Sequence, residues 1–157
     1  MNVTGIIAEY NPFHNGHAFH IEETRKKTDA DYCIAVISGD FVQRGAPALL
    51  NKYDRAKMAL ENGIDLVIEL PVITATSSAE NFAQGGVCLL NALGVVSQIS
   101  FGAEANTASD VNLLGRLADF FAFEPPIFQE YLDQALKSGC SFPAARAKAA
   151  LTCLQQA

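Results

Sequence analysis

Two histidines near the amino terminus carry the clearest chemical signal in this sequence. His14 and His17 flank Gly16 at the end of residues 5–17, which read GIIAEYNPFHNGH. The apolar run at the start of this segment predicts a buried strand, and the Asn-Pro pair stops it because proline fixes φ and donates no backbone hydrogen bond. A helix is predicted to begin after Gly16. Its open N–H groups and the positive end of its dipole would form an anion site beside the two imidazoles, which suits a polyphosphate.

We predict His14 and His17 as catalytic residues. Attack on the α-phosphoryl group of a nucleoside triphosphate builds negative charge on the non-bridging oxygens and on pyrophosphate, and fixed donors stabilise that charge, each by typically about 3–4 kcal/mol. Gly16 allows the backbone to approach the phosphates closely. An HxGH run also fits two polar histidines that are satisfied by water or by helix caps. The strand before the motif and the helix after it favour phosphate binding.

A third histidine extends the spacing but does not complete a metal site. Successive three-residue steps on a helix rotate the side chain by about 300°, so His20 drifts from the face of His14, and no cysteine or second cluster stands nearby. We therefore predict no metal held by the protein, and magnesium is expected to arrive with the triphosphate. The cysteines stand singly, which predicts buried free thiols instead of disulfides or zinc ligands. They are Cys33, Cys88, Cys140 and Cys153.

Alternating apolar runs and helical patterns must position these residues. The apolar runs cover residues 3–8, 32–37, 66–70 and 99–101. The helical patterns between them cover residues 16–27, 52–62 and 78–93. This alternation is typical of right-handed βαβ units and predicts a doubly wound, Rossmann-like parallel α/β sheet.

The pattern changes in the last third of the chain. From residue 109 onward only helical patterns follow, over residues 111–121, 128–137 and 143–154. We expect an α/β core over residues 1–108 and a C-terminal helical extension of the same domain over residues 109–157. The last pattern runs off the end without a glycine cap or a proline, so we expect a longer natural chain.

In a doubly wound sheet, ligands bind beyond the carboxyl ends of the strands. The segments that follow the four apolar runs are residues 9–17, 38–47, 71–78 and 102–106. The second of these places a carboxylate, an amide and a guanidinium between two glycines, where an arginine can hold a carboxylate or phosphate through two hydrogen bonds. An ordinary surface loop is the alternative. The predicted substrate-binding residues are Ser38, Asp40, Gln43, Arg44, Lys52 and Arg55.

Two further residues follow strands. Gly102 comes after the fourth apolar run, where a base or ribose could lie against its backbone, although a simple turn fits equally well. Glu69 ends the third run, and we expect it to be a helix cap or a salt-bridge partner rather than a catalytic group.

Charge is unevenly spread along the chain. The formal net charge is −6, yet residues 1–57 hold seven Lys/Arg and seven Asp/Glu, whereas residues 58–157 hold four and ten. A phosphate-bearing partner is therefore expected at the first third, and most of any RNA-binding surface would lie outside this chain. No run approaches the roughly 18 apolar residues of a membrane span, and no signal-peptide pattern occurs. We predict a cytoplasmic protein without membrane contact.

Six motifs follow one another along the chain. They are GIIAEYNPFHNGHAFH at 5–20, SGDFVQRGAPA at 38–48, KYDRAKMAL at 52–60, GIDLVIELP at 63–71, FAQGGVCLLNALGV at 82–95 and FGAE at 101–104. In this order they resemble the motifs of the HIGH-motif nucleotidyltransferase superfamily, and more closely those of the bacterial tRNA(Met) cytidine acetate ligases. An ordered series of this kind is much more specific than HxGH alone.

The resemblance implies a function. Such a ligase activates acetate with ATP as acetyl-adenylate and then acetylates N4 of the wobble cytidine of elongator tRNA(Met). Expected partners are ATP with its Mg²⁺, acetate and elongator tRNA(Met), and a homo-oligomer stays open. The resemblance also implies that ATP is enclosed by Ile7, Ala8, Glu9, Tyr10, Asn11, Pro12, Phe13, His14, Asn15, Gly16, His17, Ala18, Phe19, His20 and Gly102.

The chain departs from the family in its length. Family members continue well past residue 157, and the downstream asparagine-rich segment and later arginine that complete the nucleotide site are not found here. We expect this chain to be the nucleotide-binding core, binding ATP weakly and lacking full ligase activity and strong tRNA affinity. Two alternatives stay open: an adenylyltransferase acting on a phosphorylated small molecule, and a non-catalytic nucleotide-binding or assembly module, which the apolar terminal helices favour.

Overall fold

The computed structural model describes residues 1–103 and 108–156, with side chains for residues 1–103 and 112–155. Four strands and seven helices occur in this part of the chain. In order they are β1 (Val3–Ala8), α1 (Asn15–Thr28), β2 (Tyr32–Ser38), α2 (Lys52–Glu61), β3 (Leu66–Leu70), α3 (Val72–Ala75), α4 (Ala79–Ala92), β4 (Gln98–Ser100), α5 (Ala108–Ala122), α6 (Pro126–Lys137) and α7 (Phe142–Gln156). A single 3-10 turn spans Gln43–Gly45.

The four strands form one parallel sheet in the order β3-β2-β1-β4. Because side chains alternate along a strand, each strand feeds apolar residues to both faces. Ile37 of β2 packs in a cluster with Ile21 of α1 and Ala59 of α2. Its neighbour Val36 packs in a second cluster with Leu90 of α4. Helices therefore cover both faces, which confirms the predicted doubly wound fold.

Two glycines allow α4 to lie close to β1. A Cβ on Gly5 would come within 2.5 Å of Leu90, and one on Gly86 would come within 2.7 Å of Ile7. Such contacts are too short for real side chains, so larger residues at these positions would push the helix away from the sheet. This close packing holds the carboxyl end of β1, which borders the candidate site described below.

The predicted helices and strands agree with the structure apart from small shifts. β4 ends at Ser100, one residue earlier than predicted, because Phe101 leaves the sheet with 68% of its surface exposed. The four-residue helix α3 was not predicted, since one turn shows no periodicity. Cys33 and Cys153 are buried free thiols as predicted, but Cys88 is exposed on α4, which corrects that prediction. Residues 104–106 of the fourth predicted ligand loop lie outside the described residues.

The chain divides into two units, Met1–Gly102 and Ala103–Ala157. In the second unit α6 and α7 pack around Phe128, Leu132 and the small residues Ala145 and Ala149, which confirms the predicted terminal helices. Among the described residues, none of the helices combines the length and the apolar character that crossing a bilayer requires.

Candidate functional site

A cleft of about 550 Å³ opens in the first unit, beyond the carboxyl end of β1 and next to the residues that follow β4. Most of its wall comes from the segment that joins β1 to α1. We call residues 9–14 the first loop and residues 39–51, between β2 and α2, the second loop. The cleft is lined by Ile7, Ala8, Glu9, Tyr10, Asn11, Pro12, His14, His17, His20, Phe101 and Gly102.

His14 and His17 begin α1 with a reciprocal capping arrangement. Nδ1 of His14 accepts a hydrogen bond from the Gly16 backbone N–H at 3.1 Å, and Nδ1 of His17 accepts one from the His14 N–H at 3.2 Å. Two imidazoles thus take the places that Ser/Thr and Glu/Gln hold in the common capping box. The rings stack with centroids 3.7 Å apart and an interplanar angle of 24°.

This capping arrangement fixes the tautomer of both rings. A neutral imidazole has one donor nitrogen and one acceptor nitrogen, so a ring whose Nδ1 accepts carries its proton on Nε2. Both histidines line the cleft, where each Nε2–H is a donor that the cap does not use. The two interpretations of the motif, helix cap and phosphate donor, are therefore compatible within the same pair of side chains.

The surroundings of His17 favour its neutral form. Burial lowers the pKa of His17 below its usual range, and the neighbouring rings of His14 and His20 lower it further. Its ring lies against Tyr10, with centroids 4.9 Å apart, and against Phe13, 5.5 Å away. At neutral pH the ring therefore acts as an uncharged hydrogen-bond donor.

The open backbone amides expected at the start of α1 are partly occupied. The Gly16 N–H donates to the His14 ring, and the N–H groups of His17 and Ala18 both donate to the His14 carbonyl. Gly16 makes room for the imidazole, since a Cβ there would lie 3.0 Å from Cε1 of His14. The donors for a phosphate are thus mainly the two imidazole Nε2–H groups.

His20 ties α1 to the end of β4 instead of joining a metal site. Its Nε2 lies 3.1 Å from the Ser100 hydroxyl, which is also 2.6 Å from the Thr24 hydroxyl. Burial lowers the pKa of His20. These bonds fix the strand end that leads into Phe101 and Gly102. Within the described ranges, no three His, Cys, Asp or Glu side chains converge as metal ligands would.

Tyr10 forms the floor beneath the histidines. It is 1% exposed and has a φ of 49°, in the left-handed region, at the point where the chain leaves β1. Burial raises the pKa of its phenol, which therefore stays protonated. Its ring supports both Phe13 and His17. The left-handed turn at Tyr10 thus places its ring against His17, just after the end of β1.

The first and second loops are joined by hydrogen bonds that backbone N–H groups of the second donate to polar side chains of the first. Oε1 of Glu9 accepts from the Gln43 N–H at 2.6 Å, and Oδ1 of Asn11 accepts from the Leu49 N–H at 2.7 Å. Glu9 and Asn11 also line the cleft. The second loop therefore supports the cleft wall from behind.

Arg55 of α2 is fully buried beneath both loops. Its guanidinium donates to the carbonyls of Glu9 at 2.6 Å and Ser38 at 3.0 Å, and also to those of Gly39 and Leu50. Burial lowers the pKa of Arg55, an effect that the nearby carboxylates oppose. Since Arg55 and Ser38 are both 0% exposed, the structure does not support their predicted direct contact with a substrate. Arg55 instead holds the carboxyl ends of β1 and β2.

The remaining predicted substrate residues have separate roles. Oδ1 of Asp40 accepts from the Lys52 N–H at 3.1 Å, at the start of α2. The Lys52 ammonium lies 2.7 Å from Oε2 of Glu69, as the salt-bridge interpretation of Glu69 predicted. Gln43 contributes its backbone N–H to Glu9, and Arg44 is exposed at the tip of the second loop. None of these residues lines the cleft itself.

The residues expected around ATP divide into two groups. Ten of the fifteen line the cleft, whereas Phe13 packs against the core and Asn15, Gly16, Ala18 and Phe19 lie outside the lining. Phe19 is 63% exposed. The sequence analysis missed Phe101 as a lining residue. The one signal in the sequence was its position directly before Gly102, since its exposure is a property of the fold.

Comparison with known proteins gives concordant matches. The family model described as HIGH Nucleotidyl Transferase matches residues 1–157. The tRNA(Met) cytidine acetate ligase of Clostridium perfringens is 55% identical over 149 residues, which are 95% of this chain and 36% of the relative. That of Thermoanaerobacter sp. is 53% identical over 146 residues, covering 93% of this chain and 36% of the relative. The chain thus spans little more than a third of these relatives.

Solved structures resemble the chain over nearly its whole length. Thermotoga maritima TmcAL bound with alpha-thio ATP has a TM-score of 0.90 and 46% identity, covering 99% of this chain and 37% of that protein. The apo form of the same protein has a TM-score of 0.91 and 46% identity, covering 99% and 36%.

Proposed function

We propose a function on the premise that this chain belongs to the HIGH nucleotidyl transferase family, whose model matches residues 1–157. The chain is the ATP-binding core of a ligase that activates acetate as acetyl-adenylate and acetylates N4 of the wobble cytidine of elongator tRNA(Met). The carrying observation is the pair of capped imidazoles, His14 and His17, that line the cleft with their Nε2–H donors unused by the cap. The names of the relatives and the alpha-thio ATP bound to TmcAL support the assignment.

The first step is adenylation of acetate. A carboxylate oxygen of acetate attacks the α-phosphorus of ATP, a new P–O bond forms, and the bond to the β-phosphate bridging oxygen breaks, releasing pyrophosphate. Negative charge grows on the non-bridging and leaving oxygens. The Nε2–H groups of His14 and His17 donate hydrogen bonds to these oxygens and stabilise that charge. Mg²⁺ enters as part of the Mg-ATP substrate.

The second step is transfer to RNA. The N4 amine of cytidine attacks the carbonyl carbon of acetyl-adenylate, the C–N bond forms, and the C–O bond to AMP breaks. The nitrogen loses a proton and AMP leaves as the phosphate anion. The same histidines face the phosphate that departs, so one donor pair serves both steps.

Variants that keep the helix cap test the role of the imidazoles. Ser at position 14 and Gln at position 17 are the residues of an ordinary capping box, so His14→Ser and His17→Gln retain the cap and remove the ring donors. We expect calorimetric titration to show ATP binding by the unmodified chain and a roughly 100-fold loss for each variant, about the upper range for a hydrogen bond to a charged group. Lys57→Ala, an exposed change on α2, is the matched control. Unchanged ATP affinity in both histidine variants would contradict the proposal.

Pyrophosphate exchange separates the alternatives. Acetate-dependent exchange of labelled pyrophosphate into ATP is expected for the acetate ligase, whereas an adenylyltransferase would require a phosphorylated acceptor. A nucleotide-binding module would bind ATP without exchange. Mass spectrometry of acetylated cytidine in tRNA(Met) then tests the second step.

A further inference from the structure

Two exposed aromatic residues stand next to the hydrogen bond that joins the start of the second loop to the start of α2. Phe41 is 46% exposed and Tyr53 is 76% exposed. Phe41 directly follows Asp40, and Tyr53 directly follows Lys52. The Asp40 carboxylate accepts a hydrogen bond from the Lys52 N–H. This bond, 3.1 Å long, therefore brings both aromatic residues to the same part of the surface. Exposed aromatic side chains in a cluster commonly mark an interaction site.

The tip of the second loop presents an arginine in a strained conformation. Arg44 has a φ of 69°, in the left-handed region that non-glycine residues rarely adopt. The loop is closed around it by hydrogen bonds from the Val42 N–H to the Ala46 carbonyl at 2.9 Å and from the Gly45 N–H to the Val42 carbonyl at 3.0 Å. Within the described residues its guanidinium has no recorded hydrogen-bond or ion-pair partner. Strain kept at an exposed cationic side chain points to a binding role.

The Tyr53 ring has a cationic neighbour and remains open to a stacking partner. The Lys52 ammonium lies 5.6 Å from the ring centroid and is itself bound to Glu69. Most of the ring is exposed to solvent, so a flat partner can reach it.

The second loop adjoins the cleft. Its Gln43 and Leu49 N–H groups bind the side chains of Glu9 and Asn11, which line the cleft. A ligand on the outer surface of the loop would therefore lie beside the proposed ATP site. All of these residues belong to the first unit.

We propose that Phe41, Arg44 and Tyr53 form a docking surface for an unpaired RNA loop, with bases stacked on the two rings and a backbone phosphate on Arg44. Unpaired bases stack on aromatic side chains and on guanidinium planes, whereas a paired duplex offers mainly phosphates and would need the broad basic face that this chain lacks. The inference rests on the proposed function and names the RNA-contacting surface that the sequence left undefined.

Fluorescence anisotropy with the anticodon stem-loop of elongator tRNA(Met) at low ionic strength tests the aromatic contacts. Tyr53→Ala and Phe41→Ala are each expected to weaken binding about tenfold, the loss typical of one base stack. Tyr53→Phe keeps the ring and should bind like the unmodified chain. Tyr32→Ala is the matched control, because Tyr32 is 51% exposed but begins β2, at the end of the strand opposite to the second loop.

Salt dependence tests the phosphate contact. Arg44→Gln is expected to weaken binding and to reduce the slope of log K against log salt by about 0.7, the value of one phosphate contact to a single strand. Arg44→Lys should keep the slope. A fully paired duplex of the same stem should bind weakly and respond to neither aromatic variant.

Several results would overturn the proposal. These are no binding of the stem-loop by the unmodified chain, equal losses in Tyr32→Ala and Tyr53→Ala, or an Arg44→Gln variant with an unchanged slope. A change in self-association without a change in RNA affinity would instead identify a contact between copies and reject RNA docking. ATP titration and pyrophosphate exchange report on the proposed function independently, so its failure is distinguishable from failure at this surface.

Discussion

The first and second loops follow neighbouring strands, yet they are ordered by different means. The first loop is ordered at its end by local contacts. His14 and His17, three residues apart, cap the first turn of α1. The second loop depends on distant partners, namely Arg55, Glu9 and Asn11. The proposed phosphate donors are therefore positioned by local contacts, whereas the cleft wall that supports them is positioned by contacts between residues far apart in the sequence.

Removing Arg55 should have the largest effect on this comparison. Arg55→Met replaces the guanidinium by a shorter, unbranched apolar side chain and leaves the carbonyls of Glu9, Ser38 and Gly39 without their donor. Loss of one partner of a buried charged network typically costs about 3–5 kcal/mol of the free energy of unfolding. Urea unfolding followed by circular dichroism measures the change.

A conservative change at the same position sharpens the test. Arg55→Lys keeps the charge but cannot reach several carbonyls at once, so its loss should lie between those of the unmodified chain and Arg55→Met. Hydrogen exchange in both variants should increase in the second loop, while the first turn of α1 keeps its protection. If Arg55→Met costs less than about 1 kcal/mol, the second loop does not depend on this residue.

Removing the local cap should have a smaller effect. His14→Ala deletes the N-cap acceptor of α1 and is expected to lower the free energy of unfolding by about 1 kcal/mol, whereas His14→Ser should preserve it. Hydrogen exchange in His14→Ala should increase in the first turn of α1 and leave the second loop unchanged. Equal protection changes in both loops would show that the two are not ordered separately.

The same contrast explains how much the sequence predicts. The spacing of His14 and His17, the apolar runs and the helix patterns are local features, and they lead to the strand, the helix and the histidine pair. The partners of Arg55 are Glu9, 46 residues away, and Ser38, 17 residues away. No pattern in the sequence pairs an arginine with distant backbone carbonyls, so Arg55 was predicted to bind a substrate instead.

A similar limit applies to the edge of the cleft. Gly102 was identified by its place after an apolar run, but Phe101 was assigned to the strand because an apolar residue at a strand end reads as part of it. The bond between His20 and Ser100, 80 residues apart, fixes where β4 stops. Only the fold reveals that this bond exposes Phe101 beside the cleft.

Acid should lower the free energy of unfolding through His17 and His20. Burial lowers the pKa values of His17 and His20 in the folded chain. The unfolded chain therefore binds protons more readily, and stability is fully present above the ordinary histidine pKa of about 6.5 and falls as pH drops from there through the lower folded values. Protonation would also place a hydrogen on Nδ1 of His17, where the cap needs an acceptor.

Urea midpoints measured between neutral and acid pH test this dependence. In His17→Gln the midpoint should fall less steeply with pH, since Gln caps the helix without titrating in this range. Lys57→Ala should follow the unmodified chain. If the midpoint falls equally steeply with pH in His17→Gln and in the unmodified chain, His17 does not cause the pH dependence.

The ion pair beside the second loop should matter least. The Glu69 carboxylate lies 2.7 Å from the Lys52 ammonium, and its hydrogen bond raises the pKa of Lys52. Glu69→Gln removes this carboxylate. The Glu69 side chain is 47% exposed, so solvent screens the attraction, and we expect a smaller loss in the free energy of unfolding than in His14→Ala. The loss should shrink further in high salt. A loss as large as that of Arg55→Met would mean that exposed charges, and not the buried guanidinium, order the second loop.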